Sequence, residues 1–73
     1  MTGTLTMPAN SQITVQNGGK LIVNAGTVKN ASVDVKTGSN LTIENNGVLD
    51  ITNRELSIDL GATFDLIYGE IKQ

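Results

Sequence analysis

The chain has 73 residues, enough for one small domain; chains of about this size bury only about 60% of the surface their unfolded form exposes. It holds no Cys and no His, which excludes disulfides, thiolate or imidazole nucleophiles and the usual zinc and copper ligands. Net charge is −2, the five basic residues are scattered, and Phe64 and Tyr68 are the only aromatics, so a basic face with stacking rings for nucleic acid is not expected.

Charged residues make up 16% of the chain, and Val, Ile and Thr are frequent, the reverse of a disordered composition and favourable to strands. No apolar run approaches the roughly 20 residues needed to cross a bilayer, and no charged-then-apolar leader opens the chain. Membrane insertion is not expected, and the missing leader says little about export.

In chain order, Leu5-Thr6-Met7 reads as the last strand of a partial coil spanning residues 1–12. Residues 13–32 (ITVQNGGKLIVNAGTVKNAS) then align without a gap over 33–52 (VDVKTGSNLTIENNGVLDIT). A third unit, 53–73, aligns after Asn53, Arg54 and Glu55 are set aside as an insertion. Within each unit, Ile13/Val33/Leu56 and Val15/Val35/Ile58 form two apolar columns, and Leu21/Leu41/Phe64 and Val23/Ile43/Leu66 form two more. Val28/Val48/Ile71 reads as a fifth. Between them lie outward columns, Thr14/Asp34/Ser57 and Ile22/Thr42/Asp65, and this apolar–polar–apolar alternation is the period of a half-buried strand. Gly18/Gly38/Gly61 and Gly26/Asn46/Gly69 mark two recurring corners, positions where Gly or Asn tolerates positive φ.

Recurrence of like residues at a fixed period predicts stacking. The expected fold is all-β: a single domain over 1–73 forming a short right-handed parallel β-helix, or β-solenoid, of about three and a half coils with a repeat of roughly 20 residues. Right-handedness follows from the rule that about 98% of parallel crossovers take that hand. The competing arrangement is an antiparallel meander, for which Asn17-Gly18 and Asn46-Gly47 are good turn signals. A meander does not require recurrence at 20, and its strands usually run to about 5–6 residues.

The pattern apolar-x-Val-x-x-Gly-Gly-x-Leu-x-Val at Ile13–Val23, repeated at Val33–Ile43 with Ser39 for the second Gly, resembles the parallel β-helix repeats of secreted and cell-surface bacterial proteins, particularly those of Bacteroidetes type. The end segment Gly61-Ala62-Thr63-Phe64 … Tyr68-Gly69-Glu70-Ile71 is similar as well. The resemblance covers residues 11–73. It implies an extracellular or cell-surface setting and carries no catalytic residue.

No catalytic, cofactor-binding or metal-binding residue is expected. The carboxylates fall in different columns, apart from Asp59 beside Lys36, and read as solvated outward charges. The Gly-Gly-x-Gly-x-Asp calcium repeat does not occur, and the mixed outward columns lack the regular Thr rows of an ice-binding face. Asn30-Ala31-Ser32 and Asn40-Leu41-Thr42 match the glycosylation pattern but fit chance in an Asn-rich chain.

The third unit departs from its siblings. Leu60 stands where the others have Asn17 and Thr37, Ile67 where they have Asn24 and Glu44, and Tyr68 where they have Ala25 and Asn45. Apolar residues at corners need cover, either by folding over the open end as a cap or by an interface. With Phe64, these are the expected interface residues, facing another copy or the flanking domains of a longer parent chain. The expected role is a non-enzymatic structural or spacer module, self-associating through its C-terminal coil; the alternative is a carbohydrate- or surface-binding, adhesin-like module using Tyr68.

Overall fold

The computed structural model describes residues 3–73; Met1 and Thr2 of the expected partial coil lie outside the described residues. Eight strands account for the architecture: β1 (Gly3–Val15), β2 (Lys20–Asn24), β3 (Gly26–Val35), β4 (Asn40–Glu44), β5 (Val48–Asp50), β6 (Leu56–Ile58), β7 (Thr63–Ile67) and β8 (Glu70–Lys72). Every pairing is parallel. The fold is an all-β parallel solenoid of about three turns, and the antiparallel meander is excluded.

Three faces wind around one core. The first stacks Ile13, Val33 and Leu56, with Val15, Val35 and Ile58 beside them. The second stacks Leu21, Leu41 and Phe64, with Val23, Ile43 and Leu66 beside them. The third is one strand higher, because Gly3–Thr6 pairs with Gly26–Lys29 ahead of the strands at 48–50 and 70–72. Parallel stacking puts chemically like side chains in contact every 4.8 Å or so, so each apolar column is a continuous rod of core.

Two sequence-derived columns need correction. The fifth apolar column is Leu5/Val28/Leu49/Ile71, not Val28/Val48/Ile71; Val48 sits between Thr27 and Glu70 in the neighbouring row. The corner column is Gly26/Gly47/Gly69 rather than Gly26/Asn46/Gly69. Both shifts have one cause. Coil one turns this corner with a single left-handed residue, Ala25 (φ 60°), and coil three with Tyr68 (φ 52°), whereas coil two uses two, Asn45 (φ 52°) and Asn46 (φ 65°). The extra residue moves Gly47–Asp50 by one position; two more residues gained before Leu56 restore the expected columns, so Asn53–Glu55 fall beside Asn30–Ser32 and are not themselves the insertion.

At the first corner Gly18, Gly38 and Gly61 all have φ between 77° and 88°. A third corner column, Asn10/Asn30/Asn53, also lies in the left-handed region (φ 64°, 70° and 59°). Asn reaches this region at low cost because its short amide can hydrogen-bond locally.

Burial follows position in the stack. The middle coil has neighbours on both sides, and Val33, Val35, Leu41, Ile43 and Leu49 are all at most 1% exposed. The last coil is half covered, whereas the first keeps Val23 fully buried and Val15 only 7% exposed. Ala31 and Ile51, which belong to none of the five columns, complete the core near the third corner.

Candidate functional site

The C-terminal end of the stack is the surface that most departs from an inert solenoid. Strands β6, β7 and β8 are each hydrogen-bonded on one side only among the described residues. Their free edges carry the backbone donors and acceptors that template further strand pairing. Inward side chains at this level have a coil above and none below, so Ile58 stays 37% exposed and Leu66 49% exposed. Leu56, Phe64 and Ile71 are half-buried against the core.

The four residues expected to form an interface separate into three situations. Leu60 and Tyr68 are 97% and 88% exposed, so neither folds over the end as a cap. They occupy the corners at opposite ends of β7, about 25 Å of chain apart at roughly 3.3 Å per residue. Ile67 is half exposed and continues the row of Asn24 and Glu44. Phe64 points inward beneath Leu41. The structure therefore does not gather them into one patch: Leu60 and Tyr68 bracket β7 with its half-exposed floor residue Leu66, and the second floor residue, Ile58, lies on β6 beyond the Leu60 corner. Those two floor residues were not distinguished by sequence, since their columns are buried elsewhere; the signal that identifies them is being last in the stack.

Tyr68 has a second peculiarity. A left-handed conformation costs a non-glycine residue about 1–2 kcal/mol, and a bulky aromatic is among the least suited to it. It is held there by its carbonyl, which accepts the Asn46 N–H at 2.6 Å. Beside it runs a shallow concavity lined by Asn46, Gly47, Val48, Tyr68, Gly69 and Glu70.

Several polar groups along the outer faces pair with one another. Lys36 Nζ lies 2.9 Å from Asp34 Oδ2 and 3.9 Å from Asp59 Oδ2; the hydrogen bond and charge of Asp34, then the charge of Asp59, hold the ammonium above its ordinary pKa. Asn24 Nδ2 donates to Glu44 Oε2 at 2.9 Å, and Asn45 Nδ2 donates to Asn24 Oδ1 at 3.2 Å, bracing the second corner between coils. Asp50 Oδ1 accepts both the Thr52 hydroxyl and its N–H, which holds that carboxyl below its ordinary pKa. No cluster of three or more Asp and Glu side chains suited to a metal occurs among the described residues.

The chain matches no protein-family model, no curated protein and no solved structure.

Proposed function

We propose that the chain is a non-enzymatic structural module, a rigid spacer or terminal segment of a bacterial surface or secreted protein, and that it self-associates through its C-terminal coil or docks there on a flanking domain of a longer parent chain. The observation that carries this reading is the open end: Ile58 and Leu66, side chains of core type in core columns, remain 37% and 49% exposed beside three free strand edges. Exposed apolar surface of this kind marks association. The non-enzymatic part is supported by Lys36, which pairs with Asp34 and Asp59 on an outer face, and by Asp50, whose carboxylate is engaged by its neighbour Thr52. The extracellular setting rests on the repeat pattern at Ile13–Val23 and Val33–Ile43.

Sedimentation velocity tests the reading with the wild-type chain and a Leu60→Asn/Tyr68→Asn double variant. Asn suits the backbone at position 68, as Asn45 shows at the equivalent corner, so the variant is expected to fold. Concentration-dependent association in the wild type, weakened in the variant, is the expected result. A wild type that stays monomeric, unchanged by the double substitution, counts against it.

A second reading, glycan binding, is favoured by one observation: Tyr68 presents an exposed ring at the rim of a shallow concavity. One ring gives limited stacking area. A glycan array with no bound ligand removes it.

A further inference from the structure

We infer that copies of this chain stack head to tail, with Glu70–Lys72 of one copy taking the place that Gly3–Thr6 holds in the next. The inference rests on the self-association proposed above and adds the partner surface and its geometry.

Charge selects the partner end. Residues 1–32 contain Lys20 and Lys29 and no acidic residue, whereas residues 53–73 contain Glu55, Asp59, Asp65 and Glu70 against Arg54 and Lys72. Joining two C-terminal ends by a two-fold axis through β7 sets Asp65 against its own counterpart, an arrangement of like charges that opposes association. Joining a C-terminal end to an N-terminal end brings Lys20 into the row of Thr63, two residues along the strand from Asp65 and on the same face.

Strand geometry agrees. In the sheet ordered β2-β4-β7, the two outer strands are both five residues long and both pair with β4 in one continuous register. The free edge of β7 can therefore receive the β2 of another copy in parallel, as β4 already does. Leu66 and Ile58, the two inward positions left open at the C-terminal end, then come under the first coil of the next copy in the columns of Val23 and Val15, which are already 0% and 7% exposed there. The contact is heterologous, so repetition builds a filament rather than a closed pair.

Layer height fixes the remaining detail. Two faces are three strands high, and the third is four, because Gly3–Thr6 lies above Gly26–Lys29. When the first two faces meet flush, Gly3–Thr6 of the incoming copy and Glu70–Lys72 of the receiving copy require the same level on the third. One must yield. Gly3–Thr6 is exposed along its whole length and is anchored by Leu5, itself 43% exposed, over Val28. Ile71 already covers Leu49 in the same column and is suited to cover Val28.

Sedimentation velocity on four full-length chains tests this. Wild type should grow past dimer as concentration rises, and less so with added salt. A tail-altered chain (Leu66→Lys) and a head-altered chain (Lys20→Glu/Ile22→Asp) should each associate at least about tenfold more weakly, while their equimolar mixture yields a one-to-one dimer through the single intact junction. Leu5→Asn, which loosens Gly3–Thr6, should strengthen association. A head-altered chain that associates like wild type overturns head-to-tail stacking while leaving self-association standing. Unchanged or weaker association in Leu5→Asn overturns the strand replacement. Monomeric wild type removes both this inference and the reading beneath it. Circular dichroism monitors folding; should Leu66→Lys not fold, Asp65→Lys/Glu70→Lys alters the same end from outward positions and carries the same expectation.

Discussion

Leu66 lies directly under Ile43 in one inward column, yet Ile43 is fully buried and Leu66 keeps 49% of its surface exposed. The two therefore differ in energetic weight although the column treats them alike. Ile43→Ala should cost about 2–5 kcal/mol through lost burial and the cavity left behind. Leu66→Ala should cost about 1 kcal/mol, since only part of its burial is lost. Urea denaturation at concentrations low enough to hold the chain monomeric reads both, and equal costs would contradict the open end.

Gly47 is buried at the second corner, where a β-carbon would collide with the carbonyl oxygen of Val23 and stand 3.0 Å from that of Glu44. Both obstacles are backbone and cannot rotate away. Gly47→Ala should destabilise towards the upper end of the roughly 1–3 kcal/mol expected for overpacking. Gly18→Ala is the control: its β-carbon meets open space, and φ of 77° leaves only the left-handed penalty of about 1–2 kcal/mol. Thermal denaturation should rank Gly47→Ala as the more damaging.

Ser39 is completely buried and its hydroxyl has no hydrogen-bond partner. It shares a column with Gly19 above and Ala62 below, the residues preceding the paired Lys20, Asn40 and Thr63. Ala fits that column and carries no unmet polar group, so Ser39→Ala should raise stability by about 1 kcal/mol. A lower denaturation midpoint in the variant would show that the hydroxyl has a partner in solution.

Asp50 should govern part of the acid response. The Thr52 hydroxyl at 2.7 Å and N–H at 3.1 Å stabilise the ionised carboxylate, which lowers its pKa from 3.8. A group with a depressed folded pKa contributes stability that is present above its unfolded value and lost as pH falls through the folded one. Asp50 should titrate by NMR with a midpoint below 3.8. Thr52→Val removes the hydroxyl bond, the larger cause, and should move that midpoint upward.

The apolar columns on the first two faces were readable in the sequence because stacking forces like residues to recur at nearly constant spacing. The third face was misread by one residue because Asn45-Asn46-Gly47 and Ala25-Gly26 align without a gap at either end, which hides the additional left-handed residue of coil two. The Asn10/Asn30/Asn53 corner was equally present in the sequence, obscured by the general abundance of Asn. At the candidate site, Leu60, Ile67 and Tyr68 stood out because they break polar columns. Ile58 and Leu66 did not, since nothing in their identity separates them from Val35 and Ile43. Their exposure is a property of where the stack stops.

The surplus strand on the third face places Gly3–Thr6 and Glu70–Lys72 on one side of the molecule, three strand spacings or about 14 Å apart. A mechanical load entering through Gly3 and leaving through Lys72 acts along that ladder, parallel to its hydrogen bonds. Such a load opens rungs one after another by peeling, instead of shearing a whole strand at once. A tether of this geometry would give way gradually from its ends, with the doubly covered layer around Val33–Leu49 the last to part.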